Sequence, residues 1–294
     1  VKAKLKSNHV PESTKVVAKL LEFKPHMTKV QYFDIINKSK EYILAGDIFQ
    51  IVPSQRFSAK FELPPFALYR SLRELNPSPF LFFLDFNEFQ LVGSSPEIMV
   101  RLRDNKVTIR PLAGTRKRGK NAAQDQELAN DLLLDEKEIS EHLMLIDLSR
   151  NDVGRVSKPG TVKVTDLMRI ERYSHVMHIV SDVEAVLDEK YDMFDLFMAT
   201  FTAGTMTGAP KIRAMELIAN FEKIKRNFYS GSIAYFGFDG NMDSAITIRT
   251  SLLTKDKIIF QSGAGIVADS INEDEYLEVH NKLAANIATL KDLL

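Results

Sequence analysis

Four strand-like runs, Phe80–Phe86, Phe89–Gly93, Glu97–Leu102 and Lys106–Leu112, follow one another with only short turns between them. Parallel neighbours need a crossover of about a dozen residues or more, so runs spaced this closely pair antiparallel. The same holds further on, where Ser232–Phe238 and Ser244–Leu253 flank Asp239-Gly240-Asn241, a strong hairpin signal. His175–Leu187 is long and rich in Val and Ile, and Ile258–Gln261 closes the series. Helical periodicity marks about 28–45, 64–75, 125–149, 208–222 and 273–292, inserted irregularly among the strand clusters. Clustered strands with irregular helices point to one α+β domain over 1–294 rather than to alternating βαβ units.

Composition narrows the function classes. Of 294 residues, 45% are hydrophobic and 27% charged, enough apolar material for a sizeable core. Formal net charge is zero, so nothing draws the chain as a whole to nucleic acid or to an anionic membrane. The absence of cysteine removes disulfides, thiolate metal sites and cysteine nucleophiles together. The greasiest stretch, Phe80-Leu81-Phe82-Phe83-Leu84, is strand-sized, far below a membrane span. Val1-Lys2-Ala3-Lys4 is no secretory signal, and with no initiating methionine the chain is expected to begin partway through a longer subunit. A cytoplasmic enzyme is the expectation.

The segment Ala203-Gly204-Thr205-Met206-Thr207-Gly208-Ala209-Pro210-Lys211 leads into a helical pattern in which Ile212, Met215, Leu217 and Ile218 are placed to face a core. Pro210 suits a first turn, with Thr207 or Gly208 as the cap and Lys211 adding positive charge. A glycine-bearing turn that opens a helix presents free N–H groups to a carboxylate or phosphate; the bland alternative is a plain capped helix. Neither a G-x-x-x-x-G-K-[ST] phosphate loop nor a G-x-G-x-x-G fingerprint occurs. A small carboxylate is the anion expected.

Acidic residues gather on two helices. Asp135, Glu138, Glu141 and His142 share one, and Glu275, Glu278 and Lys282 lie on one side of the last. Either they are two solvated faces, or they grip a hard cation such as Mg²⁺ that keeps positions open for substrate oxygens. Gln261-Ser262-Gly263-Ala264-Gly265 allows close backbone approach to a ligand, or is a bulge. Pro111-Leu112-Ala113-Gly114-Thr115-Arg116 ends a strand in a small-residue turn. The basic residues that follow (Lys117, Arg118, Lys120) make too short a patch for nucleic acid. Tyr229, and Arg249 on the second hairpin strand, could bring a phenol and a guanidinium to a carboxylate, though a lone strand arginine is more often an ion-pair partner. His175 and His178 face opposite sides of their strand.

With these residues in hand, the chain resembles the chorismate-binding enzymes, and within them the large subunits of anthranilate synthase. The blocks GDIFQIVPSQRF, NPSPF, GSSPE, PLAGTRKRG, EISEHLMLIDLSRNDVGRV, ERYSHVMHIVS, AGTMTGAPKIRAMELI, FGFDGNMDSAITIRT and QSGAGIVADS run in order from Gly46 to Lys282, within a match over about 28–292. The resemblance implies a sandwich of two stacked, mainly antiparallel sheets flanked by helices. It implies a Mg²⁺-dependent site that converts chorismate and ammonia to anthranilate and pyruvate.

Carried over residue by residue, Glu141 and Glu278 would ligate Mg²⁺, with Glu138 and Glu275 near it or acting through water. Gly114, Thr115, Tyr229, Arg249, Gly263, Ala264, Gly265 and Lys282 would bind chorismate, and Thr205 would touch it. Glu97 would be the general acid for the departing ring hydroxyl, with His178 beside the ring. Water-adding relatives are expected to carry a lysine base where this chain has Gln50, and aminodeoxychorismate synthases a nucleophilic lysine at Ala113. Glutamine cannot deprotonate water and alanine cannot form an adduct, whereas ammonia needs no base to become a nucleophile. Aminodeoxychorismate synthase is the nearest alternative. With no cysteine, glutamine hydrolysis is assigned to a separate glutamine amidotransferase subunit in a heteromer. Asn76-Pro77-Ser78-Pro79-Phe80 matches one wall of the family's tryptophan feedback site, and the amino-terminal segment that forms the other wall is not in this sequence.

Overall fold

A computed structural model describes residues 21–173 and 176–291; His175 lies outside the described residues. Every strand pairing is antiparallel, as close spacing demands. One sheet runs β1 (Lys24–Pro25), β3 (Ser54–Lys60), β15 (Lys257–Gly263), β14 (Thr250–Leu253), β5 (Gln90–Ser95), β4 (Phe80–Asp85). The other runs β12 (Ser232–Phe236), β13 (Met242–Ile246), β6 (Ile98–Arg103), β7 (Lys106–Ile109), β10 (Val176–Val186), β8 (Leu112–Lys117), with β9 (Lys163–Arg172) also paired to β10. A short ladder joins β2 (Gln50–Ile51) to β11 (Gly208–Ala209).

Helices cover both sheets. Against the first pack α1 (Lys29–Leu44), α2 (Pro65–Leu75), α7 (Lys211–Glu222) and α8 (Asn272–Lys291), burying Tyr32, Ile36, Phe57, Leu68, Leu217 and Val279. Against the second pack α4 (Glu136–Gly154) and α5 (Met193–Thr200), around Val100, Val107, Ile146, Val183 and Leu196. A third cluster, Ala129, Leu132, Met177 and Ile179, seats α3 (Ala122–Leu134) on β10. The single turn α6 (Gly204–Thr207) leads into β11.

Two chain segments pass from one sheet to the other side by side. The chain leaves β5 at Ser95 and enters β6 at Ile98; it leaves β13 at Ile246 and enters β14 at Thr250. At the crossing the Ser94 N–H donates to the Arg249 carbonyl (3.2 Å) and the Ile246 N–H to the Glu97 carbonyl (3.0 Å). The Ser95 hydroxyl donates to the Ile246 carbonyl at 2.6 Å.

Several expected elements are redrawn. The helix expected over 125–149 is two, broken at Asp135, which ends α3 and caps α4 by accepting from the Lys137 and Glu138 N–H groups at 3.1 and 3.2 Å. Periodicity continues on both sides, so the pattern alone does not show the break. The strand expected over 244–253 divides between the two sheets, and Arg249, placed on it by the sequence, sits in the crossing at φ 49°. Lys106–Leu112 likewise separates into β7 and the start of β8, so the presumed small-residue turn at Ala113-Gly114-Thr115 is itself strand. Strands β3 and β9 and helix α5 are additional, and the Asp192–Asp195 capping box marks α5 in sequence.

At α7 the N-cap is Pro210 with no side-chain cap, so neither Thr207 nor Gly208 serves. Ala214, Leu217 and Ile218 face the core, but Ile212 is 73% exposed and Met215 37%. Gly208 has φ 135°, where L side chains are strained, and an added Cβ would run into the Gln50 carbonyl and approach Ala214 Cβ at 2.9 Å. Gly208→Ala should therefore destabilise the protein by about 2–3 kcal/mol, read as a lower urea midpoint at unchanged slope.

Candidate active site

The crossing places an acid beside a cation. Glu97, in the link from β5 to β6, is 8% exposed, and its carboxyl is pushed up to about 7, chiefly by burial. Thr205, Arg249 and Lys282 pull it the other way without overcoming burial. Thr205 Oγ1, in α6, lies near Glu97 but falls short of hydrogen-bond geometry, so that buried hydroxyl has no partner among the described residues. Arg249 feels burial too, which lowers it, while Glu97 and Tyr173 push it back up. Near neutral pH a large fraction of Glu97 therefore carries a transferable proton.

His178, on β10, is buried, with Nδ1 2.8 Å from the Gly114 carbonyl oxygen and 3.1 Å from Thr115 Oγ1, both on β8. A carbonyl only accepts, so Nδ1 carries the proton. Burial lowers His178, keeping the ring neutral and leaving the Nε2 lone pair as an acceptor. The Tyr173 ring stands edge-on to it at 5.6 Å.

The end of β15 supplies backbone. A Cβ at Gly263 would lie 2.5 Å from the Pro53 carbonyl, and one at Gly265 2.6 Å from Gln50 Nε2 and 3.8 Å from Glu141 Oε1. A side chain at Gly263 would collide with the Pro53 backbone and one at Gly265 with the Gln50 amide, and Ala264 between them is fully buried. Tyr229 is buried 4% exposed, and burial holds its phenol well above its ordinary value, as a neutral donor. Lys282 on α8 donates to the Gly263 carbonyl (3.0 Å) and pairs with Glu278 Oε1 (2.6 Å).

Opposite lie the carboxylates. Glu141 on α4 is raised by burial, opposed by a 3.2 Å bond from Gln50 Nε2 and reinforced by the charge of Glu278 on α8. Glu138 is raised by burial and then by Glu141 and Asp135. Glu275 is raised by burial and Glu278, against a 2.7 Å bond from the Ser270 hydroxyl. Among the described residues no three acidic or histidine side chains form a ready metal cluster. A Mg²⁺ ion usually takes one or two protein carboxylates and leaves other positions to water and substrate. Glu141 and Glu278, mutually repelling across two helices, fit that requirement.

Glu97, Thr205, Arg249, Lys282, His178, Gly114, Thr115, Tyr229, the Gly263–Gly265 turn and the four glutamates Glu138, Glu141, Glu275 and Glu278 are linked by these contacts, while two other stretches picked out by sequence are engaged elsewhere. The anion site expected at the start of α7 does not form: Lys211 pairs with Asp152 at 2.7 Å and donates to the Thr202 carbonyl at 3.0 Å, fastening α4 to that segment. The basic turn is also occupied, Arg116 by Asp131 and Asp135 at 2.7 and 2.8 Å, and Arg118 by Asp125 at 2.7 Å. Tyr173 and the buried Gln50 also touch these residues, Tyr173 standing edge-on to His178 and Gln50 donating to Glu141. Tyr173 gives no sequence signal beyond standing five residues before His178.

Glu97 and His178 both feel the charge of Arg249, so a carboxyl raised to about 7 and a neutral imidazole share one guanidinium. The sequence matches the family of chorismate binding enzymes over residues 2–288, and the chain belongs to that family. It is 54% identical over 273 residues to anthranilate synthase component 1 of Aquifex aeolicus (strain VF5), covering 92% of this chain and 55% of that protein. With the same component of Neisseria meningitidis serogroup B (strain MC58) it shares 57% over 252 residues, 86% of this chain and 51% of that protein. The chain spans about half the length of these curated relatives. The crystal structure of anthranilate synthase component I from Streptococcus pneumoniae TIGR4 superposes with TM-score 0.86 at 44% identity, over 92% of this chain and 60% of that one. The menaquinone-specific isochorismate synthase of Escherichia coli shares the fold, at TM-score 0.81 and 23% identity over 92% of this chain and 63% of that one.

The raised Glu97 carries a stability consequence. An unfolded carboxyl titrates near 4.5, the folded one near 7, so between these values the folded state holds a proton that the unfolded state has lost. Stability falls as pH rises through that window, by up to about 3 kcal/mol above pH 7. Glu97→Gln removes the penalty: urea denaturation should find the variant more stable than wild type at pH 8 and no different at pH 4.

Proposed function

We propose that this chain is the chorismate-binding catalytic part of an anthranilate synthase. It converts chorismate and ammonia to anthranilate, pyruvate and water in tryptophan biosynthesis, in the cytoplasm, with Mg²⁺ as cofactor and a glutamine amidotransferase subunit as partner. The observation that carries the reading is Glu97, a buried carboxyl that titrates near 7 beside two cationic side chains. A ring hydroxyl leaves as water only when protonated, and Glu97 is placed and poised to give that proton. The 54% and 57% identities to component 1 proteins support the same assignment.

Arg249, Lys282, Thr115, Tyr229 and the backbone of Gly263, Ala264 and Gly265 bind and orient the substrate carboxylates, anion against cation and N–H. Glu141 and Glu278 would hold Mg²⁺, with Glu138 and Glu275 acting at its edge. Bound there, the ion would neutralise carboxylate charge and fix one substrate oxygen group. The buried Thr205 hydroxyl, without a partner among the described residues, is free to pair with Glu97 or with substrate on binding. His178 Nε2 accepts the proton shed when the incoming nitrogen bonds to the ring, and burial keeps it neutral for that purpose. Gln50 and Ala113 bring no ionisable group to activate water or to form an adduct.

The test is fluorescence of anthranilate from chorismate, with Mg²⁺ and an ammonium salt as the only additions. The rate should rise toward alkaline pH as free NH₃ rises. Glutamine should be inert until a triad-type amidotransferase is added, because this chain holds no cysteine nucleophile. In the same assay Glu97→Gln should lose about 10²–10⁴ in turnover while still binding chorismate. Aminodeoxychorismate as product, or undiminished turnover by the variant, would defeat the assignment.

A further inference from the structure

Lys282 touches both halves of the site at once. Its Nζ lies 2.6 Å from Glu278 Oε1, a carboxylate assigned above to the cation, and 3.0 Å from the Gly263 carbonyl oxygen, in the turn assigned to substrate. Its charge also reaches Glu97 and Glu141. The pair lies four residues apart on α8, with the lysine side chain 53% exposed and the glutamate 48%. An ion pair that exposed is weak and exchanges readily. The carbonyl contact keeps the ammonium on the substrate side, so a change of partner needs only rotation of side-chain ends, with α8 stationary.

We infer that Lys282 is a displaceable counter-ion that makes divalent-cation and substrate binding mutually dependent. An ammonium and a dication compete for the same Glu278 oxygen. With no substrate, Lys282 neutralises Glu278 and holds the cation off. A substrate carboxylate arriving at the Gly263 turn draws the ammonium to itself and releases Glu278. By linkage the effect is reciprocal, the cation tightening substrate as much as substrate tightens the cation. The inference rests on the magnesium and chorismate reading above.

Lys137 supplies the control. Its charge also reaches Glu138, Glu141 and Glu275, yet among the described residues it has no ion pair with them. It is exposed in the first turn of α4 and stands outside the catalytic and binding set.

The experiment titrates the purified protein with Mn²⁺, standing in for Mg²⁺, and counts free Mn²⁺ by electron paramagnetic resonance. One arm has no substrate; the other has saturating chorismate, with ammonium and glutamine withheld so that nothing is aminated. Wild type should bind Mn²⁺ about fivefold or more tighter with chorismate. Lys282→Met should bind Mn²⁺ alone about two- to fivefold tighter than wild type, and the ratio between its arms should shrink about fivefold. Lys282→Gln should behave the same way, so misfolding of one variant leaves the other to decide. Lys137→Met should tighten both arms equally and keep the wild-type ratio. A wild-type ratio in both Lys282 variants would overturn the inference while leaving the metal reading intact. No Mn²⁺ binding in either wild-type arm would sink the metal reading and this inference with it.

Discussion

Two backbone hydrogen bonds, from Ser94 to Arg249 and from Ile246 to Glu97, decide where the chemistry can be. They tie together the two segments that change sheets, so the acid and the guanidinium become neighbours by backbone pairing rather than by side-chain attraction. Neither residue then needs the other's charge to stay in place, and burial can raise Glu97 while Arg249 stands by. Arg249 accepts a left-handed backbone at φ 49° to make the corner. Such a conformation costs on the order of 1–3 kcal/mol in a non-glycine residue and persists because both flanking strands are held in their sheets.

The rest of the site is fastened from behind by buried ion pairs. Glu222 accepts from the Ser54 N–H at 2.7 Å and from Arg226 at 2.6 Å, and Arg226 donates to the Met206 carbonyl at 2.7 Å. One pair thus fixes the strand beside the Gly263 turn and the turn that carries Thr205. These supports are fully matched, acid with base. The site itself is not: Glu97, Glu138, Glu141 and Glu275 are all raised, with burial first among the causes. Buried carboxyls raised together in one place cost stability, a pattern characteristic of functional sites.

Much of this was legible in the sequence because it is local. Turn spacing gave antiparallel pairing, and Asp239-Gly240-Asn241 gave the hairpin between β12 and β13. Residues three and four apart put Glu138 with Glu141 and Glu278 with Lys282. Long-range events were not legible. The split of the run over 244–253 depends on a sheet change that leaves the pattern of Ile and Thr unbroken, and Lys211 looked like an anion-binding charge because its partner, Asp152, is remote in sequence. Strand β3 escaped because polar side chains such as Ser54 and Gln55 are fully buried in it, against the alternation by which half-exposed strands are read. The ligand roles came from resemblance, since spacing alone favoured two solvated helix faces.

The tie between Lys211 and Asp152 gives α4 a fixed heel. The helix carries Glu141 near its other end, eleven residues and about 16 Å up the axis. Over that span a tilt of about 4° at the heel swings the carboxylate by about 1 Å, a misplacement that can cost about a hundredfold in rate. Because Lys211 also holds the Thr202 carbonyl, just ahead of Thr205, the hydroxyl beside the acid and the carboxylates of a different helix are surveyed from one datum. Alignment of the side that carries Glu97 and Thr205 with the side that carries Glu138 and Glu141 is therefore set at a point that touches neither.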